Sequence, residues 1–176
     1  MKEALGWIKD ILIAVLIAAI ILFFFKPIII QQESMQPTFY SNDYVIVSKQ
    51  SYHLFGDIQR GDVIVFRSSL LDEQGHQKSL IKRVIGLPGD VIEIHEGYVF
   101  INGQPVQEDY LAEHFTFVSG DMEPVTVEEG KVFVMGDNRY VSQDSRAPEI
   151  GQVSQDTIIG KVVLRILPLD SIKLFT

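Results

Sequence analysis

From Ile11 to Phe25 the chain carries no charged or polar side chain, and few environments can satisfy such a run. With Trp7 and Ile8 before it and Pro27 to Ile30 after it, the segment can cross a bilayer core about 30 Å thick as a helix. At roughly 0.3 to 0.6 kcal/mol per large apolar residue, its leucines, isoleucines, valine and phenylalanines favour insertion by several kcal/mol, while Lys9 and Lys26 can snorkel at the ends. The competing reading is a cleavable secretory signal. Past the core, however, the chain reads Lys26-Pro27-Ile28-Ile29-Ile30-Gln31, with no pair of small residues to be recognised and cut, so an uncleaved single-pass anchor fits better. Residues 1–30 are accordingly expected to be a short cytoplasmic tail and a transmembrane anchor. Lys2 and Lys9 favour the tail inside and the bulk outside, with Lys26 weighing against.

The remainder, residues 31–176, is long enough for one compact domain with its own core and too short for two. The whole chain's net charge of −8, with lysines and arginines scattered rather than striped, argues against nucleic acid as a partner. The absence of cysteine excludes disulfides, thiol nucleophiles and thiolate metal sites. Short β-branched runs separated by turn chemistry predict a mainly β domain: Tyr44 to Ser48, Asp62 to Arg67, Ile81 to Ile85, Lys131 to Met135 and Thr157 to Leu167. Val91 to His95 and Tyr98 to Ile101 flank Glu96-Gly97 as a tight hairpin, and Asn102-Gly103 turns the chain again. Around residues 104–130 the sequence becomes acidic and loses periodicity, which predicts a small insertion or excursion from the main sheet.

Ser34 stands just past the apolar segment, in Glu33-Ser34-Met35-Gln36-Pro37-Thr38. A serine hydroxyl is a poor nucleophile near neutrality and needs a base within hydrogen-bond reach. The histidines, His53, His76, His95 and His114, lie in unrelated contexts without the spacing of a zinc site or a triad. Lys82 is flanked by Leu80, Ile81, Val84 and Ile85 in a strand expected to be buried. Burial disfavours its ammonium, and lowering a lysine pKa from about 10.4 to about 7 to 8 corresponds to roughly 3 to 4 kcal/mol of differential solvation. The other reading of Lys82-Arg83 is a pair of snorkelling surface cations. A dense polar run, Gly136 to Arg146, follows the apolar strand ending at Met135. It reads either as a turn with a surface Asp-Arg pair or as a support for the lysine, with Ser142 as its hydrogen-bonding partner and Asp144 and Arg146 as a structural ion pair.

Taken together, Ser34-Met35-Gln36-Pro37-Thr38, Gly61-Asp62-Val63, Lys82-Arg83-Val84-Ile85-Gly86-Leu87-Pro88-Gly89-Asp90 and the run Gly136 to Arg146 resemble, in order, the motifs of bacterial type I signal peptidases. The resemblance implies a fold of coiled antiparallel sheets with a small inserted subdomain, preceded by one transmembrane helix. It implies a serine endopeptidase of the cytoplasmic membrane, facing the extracytoplasmic side, which removes signal peptides from exported preproteins through an acyl-enzyme. Ser34 then corresponds to the nucleophile, Lys82 to the general base, Ser142 to the hydroxyl that orients it, and Asp144 and Arg146 to a supporting pair. No metal or cofactor is implied; the partners are signal peptides, the lipid bilayer and the export machinery. At the position two before the nucleophile, where the family often has a small or hydroxyl residue, this chain has Gln32, whose amide is a candidate oxyanion donor. The family's preference for small residues one and three positions before the cut calls for shallow apolar pockets, for which Ile30, Met35, Ile81 and Val84 are the candidates. Phe39 and Tyr40 are expected on the membrane surface. Two alternatives differ in class. One is a catalytically silent membrane-anchored binding or assembly module of the same fold. The other, a self-cleaving repressor with a similar Ser-Lys site, would carry a DNA-binding domain where this chain has its apolar span.

Overall fold

The computed structural model describes residues 2–54, 56–113, 115–116 and 122–175. Helix α1 (Lys2–Phe24) opens the chain and stops where Pro27 forbids its continuation, since a proline both lacks the donor and disfavours helical backbone in the residue before it. The next residues form strand β1 (Phe25–Ile29), although hydropathy alone assigns them to the anchor. Pro27 is tolerated there because β1 lies at the sheet's edge.

The chain continues through β2 (Tyr44–Ser48), the short helix α2 (Ser51–Leu54), β3 (Val63–Leu71), β4 (Gln77–Gly86), β5 (Val91–His95), β6 (Tyr98–Ile101) and β7 (Gln104–Pro105). It ends through β8 (Met122–Thr126), β9 (Lys131–Met135), β10 (Val153–Ser154), β11 (Ile158–Leu167) and β12 (Lys173–Leu174). The larger sheet has the order β1-β2-β11-β3-β4-β9-β10, with β12 also pairing β11; the smaller one runs β7-β6-β5-β8. Every pairing among the described residues is antiparallel. The protein is thus mainly β, with one apolar helix at its amino terminus.

The predicted hairpin is present, with Ile92 opposite Ile101 and His95 opposite Tyr98. It belongs to the smaller sheet, which therefore begins at Val91, ahead of the acidic stretch where an excursion is expected. Strands β3 and β4 outrun their apolar cores, because pairing continues outward through Arg67 and Ser79 to Leu71 and Gln77, where side chains face water.

At its centre the larger sheet is covered on both faces, so its strands read as continuous apolar runs. Val63 and Val65 of β3 join a cluster with Ile30, Met35, Phe39, Val45, Val47 and Val162, whereas Ile64 and Phe66 join Leu80, Val84, Val132, Val134 and Val153. Phe39, expected at the membrane, is wholly buried and packs on Phe175 with ring centroids 4.7 Å apart. An aromatic ring buried this way contributes about 1.5 to 3 kcal/mol, more than an exposed position can return. Tyr40 is exposed. Where β2 crosses β11 the backbones approach so closely that a Cβ on Gly160 would lie 2.2 Å from the Ser48 carbonyl oxygen.

Candidate active site

Ser34 sits on a turn held from both sides by the first apolar cluster. Ile30 precedes it and Met35 and Phe39 follow it into the core, with Gln36 N–H donating to Glu33 O at 3.1 Å and Phe39 N–H to Met35 O at 2.8 Å. The side chain of Ser34 is thereby fixed without belonging to a helix or strand, an arrangement in which packing on either side sets the geometry of the hydroxyl.

Lys82 arrives from β4, where it pairs with Ile64 of β3. It is only 1% exposed, and its Nζ lies 2.7 Å from Ser34 Oγ and 2.9 Å from the Ile81 carbonyl oxygen, to which it donates. Burial lowers its pKa to about 8, against the pull of the Asp144 and Asp137 carboxylates; the Arg146 cation pushes in the same direction as burial. The two adjacent cations of β4 divide as strand alternation requires. Arg83 turns to Asp137, with Nε donating to Oδ1 at 2.8 Å and Nη2 to Oδ2 at 2.6 Å, and also bonds Gly61 O and Thr38 Oγ1. The surface-cation reading of Lys82-Arg83 is therefore excluded.

The third component is the loop from Gly136 to Arg146. Asp144, wholly buried, accepts from Gly136 N–H at 3.0 Å and from Arg146 Nε and Nη2, each at 2.8 Å. Burial alone would raise its pKa, but the Arg146 hydrogen bonds and charge hold it below the ordinary carboxylate value. Arg146 also donates to the carbonyls of Arg139 and Ser142, which folds the loop back upon itself. The loop meets Ser34 directly: Asn138 N–H donates to Ser34 O at 3.0 Å. Gly136 is squeezed at this junction, where a Cβ would lie 2.3 Å from Ser142 Oγ and 2.4 Å from Ser34 O. Ser142 Oγ is buried there beside the Asp144 carboxylate, whose pKa it helps to hold down, while the two hydrogen bonds of Lys82 Nζ go to Ser34 and Ile81.

The structure thus brings Ser34, Lys82, Ser142, Asp144 and Arg146 to one place. Gln32 is exposed. Among the proposed pocket residues, Ile30 and Met35 share the first apolar cluster, against which Ile81 packs half-buried, whereas Val84 lies wholly buried in the third cluster with Phe66 and Val134. His76 and His95 face solvent beside Asp72 and Glu93; the side chain of His53 and all of His114 lie outside the described residues.

Sequence reasoning passed over four polar residues that are bonded in pairs around the site: Thr38, Asp137, Arg139 and Glu108. Thr38 Oγ1 donates to Asp137, and Arg139 and Glu108 form a buried ion pair. Asp137 and Arg139 stand in the polar run already singled out. Glu108 sits in the acidic stretch, where one carboxylate is indistinguishable from the solvated ones around it.

Beyond the site's geometry, β4 offers a place for an extended chain. Its partner β9 pairs Arg83, Val84 and Gly86, and no strand among the described residues covers that edge from Gln77 to Ile81.

A model of the signal peptidase family, peptidase S26, matches residues 4–167. Signal peptidase I P of Bacillus subtilis subsp. natto is 38% identical over 98% of this chain and 94% of its own length. The probable signal peptidase I-1 of Synechocystis sp. is 42% identical over 90% of this chain and 80% of its own. A crystal structure of a signal peptidase I from Enterococcus faecalis V583 is 36% identical, covering 60% of this chain and 96% of that one, with a TM-score of 0.49.

Proposed function

This chain belongs to the signal peptidase family, peptidase S26, and we propose that it cleaves signal peptides from preproteins with Ser34 as nucleophile and Lys82 as general base. One observation carries the assignment: the Nζ of a lysine with 1% exposure and a pKa lowered to about 8 lies 2.7 Å from the hydroxyl of Ser34.

In the protonated state Lys82 donates to Ser34 Oγ. Once neutral, its lone pair accepts the hydroxyl proton as Oγ attacks the scissile carbonyl, giving a tetrahedral intermediate and a lysine ammonium. The Ser34 N–H is the first donor to the oxyanion, and Gln32, on the open side, contributes at most modestly. Collapse breaks the C–N bond, with the Lys82 proton passing to the leaving amine. Water then attacks the acyl-enzyme, losing its proton to Lys82; collapse breaks the C–Oγ bond, and Lys82 returns the proton to Ser34 Oγ. Ser142 Oγ, buried beside the Asp144 carboxylate, supplies a further partner as the amine reorients between these steps, while Asp144 and Arg146 hold its loop.

The substrate lies extended along the open edge of β4, gaining main-chain hydrogen bonds, with small residues one and three positions before the cut set against Ile30, Met35 and Ile81. Val84 is turned to the third cluster, away from the first, where Ile30, Met35 and Ile81 meet, and takes no part. Helix α1, long and apolar enough over Gly6–Phe24 to cross a membrane, anchors the enzyme in the cytoplasmic membrane with residues 31–176 on the extracytoplasmic side. The chain contains no cysteine, so single cysteines introduced at exposed sites would report sidedness by impermeant labelling.

The test of chemistry uses detergent-solubilised protein and a preprotein with an Ala-x-Ala site, comparing wild type with Ser34→Ala and Lys82→Ala at matched folding. Cleavage after the second alanine by wild type alone is expected. Equal cleavage by all three would overturn the assignment of the two residues.

A further inference from the structure

The smaller sheet's loop sends two side chains into the region beneath the catalytic loop, and the chemistry described so far leaves them unused. Glu108, 7% exposed, accepts from Arg139 Nη1 at Oε2, 3.0 Å away, and from Arg139 Nη2 at Oε1. Tyr110 donates its hydroxyl to the same Oε1 and lays its ring under the Arg83 guanidinium, 4.0 Å from centre to cation. Burial and the adjacent Glu108 carboxylate push the Tyr110 pKa up, so its hydroxyl remains a donor at any working pH. Thr116 Oγ1 accepts from Arg139 Nη1 as well. The Arg139 guanidinium is therefore held on one side by two residues of the segment between β7 and β8, Glu108 and Thr116, and Tyr110 steadies the first of them. On its other side, Arg139 Nε donates to Gly136 O at 3.0 Å.

Gly136 is the residue wedged between Ser34 O and Ser142 Oγ. We propose that Glu108 and Arg139 form a positioning clamp, through which the smaller sheet fixes Gly136 and so sets the placement of Ser34 and Ser142 against Lys82. This rests on the Ser34-Lys82 reading. Neither clamp residue touches the reacting atoms; both act through the Gly136 carbonyl. A rigid planar fork is needed, because one guanidinium must satisfy a carboxylate and a backbone carbonyl in fixed directions, which a lysine cannot do.

Two variants of the full chain, in detergent, separate positioning from scaffolding. Arg139→Lys keeps a cation opposite Glu108 and removes the bond to Gly136. Glu108→Leu combined with Arg139→Met replaces the ion pair by apolar side chains of similar volume, a change that buried ion pairs commonly tolerate without loss of stability. With a preprotein substrate, folded forms of these variants should show kcat lowered about 10- to 100-fold, as expected when reacting groups shift by a fraction of an ångström to an ångström. KM should stay within about twofold, because the β4 edge is untouched, and the pH midpoint of activity should remain that of Lys82. Unchanged kcat in either folded variant would overturn the clamp. Failure of both to fold would assign the pair to scaffolding, and the positioning claim would fall. Ser34→Ala serves as the control: if it cleaves like wild type, the dyad reading falls and takes the clamp with it, whereas an inactive control confines a negative result to the clamp.

Discussion

As the proposed general base, Lys82 would couple activity to proton occupancy at a buried position. A folded pKa of about 8 against an unfolded value of 10.5 means that the unfolded chain binds more protons between those pH values. Stability therefore rises with pH across that window: the penalty for burying the ammonium is complete below about 8 and gone above 10.5. A shift of this size corresponds to about 3 kcal/mol. Lys82→Met should accordingly melt at a higher temperature than wild type at pH 7, and the gap should close as pH approaches 10.5, measured by thermal unfolding across the pH series. The kcat/KM of the wild type should rise with pH to a midpoint near 8, since only the neutral amine is a base. Gly136→Ala probes the same place sterically. With contacts of 2.3 and 2.4 Å to relieve, the loop or Ser34 must move, and activity should fall at least about 100-fold in a cleavage assay. Ser34, Lys82, Ser142, Asp144 and Arg146 were legible as a set because their motifs stand in the order of a family resemblance; locally, the lysine and the polar run also read as surface features, and only the fold shows them buried together. Glu108 was not legible, since nothing local marks a carboxylate whose partner lies far along the chain and whose burial depends on a second sheet.

At the scale of elements, legibility followed how much each strand depends on distant contacts. The β5–β6 hairpin carries its own turn and alternation, and it was read with its bounds. Strand β1 was hidden by apolar continuity with α1, although Pro27 was the available signal: it excludes a helix there and permits an edge strand. Strands as short as β7, β10 and β12 have no period to detect and exist only because a neighbour offers an edge. The closeness of β2 and β11 is equally invisible in sequence and has a measurable consequence. Gly160→Ala would drive a methyl against the Ser48 carbonyl and the Val47 side chain, forcing β11 away from β2. Overpacking of this kind costs about 1 to 3 kcal/mol, so the melting temperature should drop by several degrees, with little change in the kcat of the folded fraction, because neither strand carries a reacting group.

For the whole molecule, the decisive feature is that no linker separates the proposed anchor from the catalytic sheet. Helix α1 ends at Phe24 and β1 begins at Phe25. The junction is braced: Lys49 N–H donates to Phe24 O at 2.9 Å, and Lys49 Nζ donates to Leu22 O, tying the last turn of the helix to the segment after β2. The chain from Phe24 to Ser34 spans at most about 35 Å even when extended, and here it pairs along β2, so Ser34 is kept near the end of the apolar helix. If α1 lies in the bilayer, a substrate still embedded by its own apolar segment presents its cleavage site within that distance, and the rigid joint serves to keep the dyad at that height. A flexible Gly-Ser insertion between Phe24 and Phe25 should then leave the sheet and its melting temperature nearly unchanged. Cleavage of a short soluble peptide in detergent should remain at wild-type rates, while cleavage of a membrane-embedded preprotein in vesicles should fall severalfold as the insertion lengthens and the effective concentration of site and substrate at one height declines. Equal sensitivity of both substrates would mean that the joint acts on the fold rather than on reach, and the height argument would not survive it.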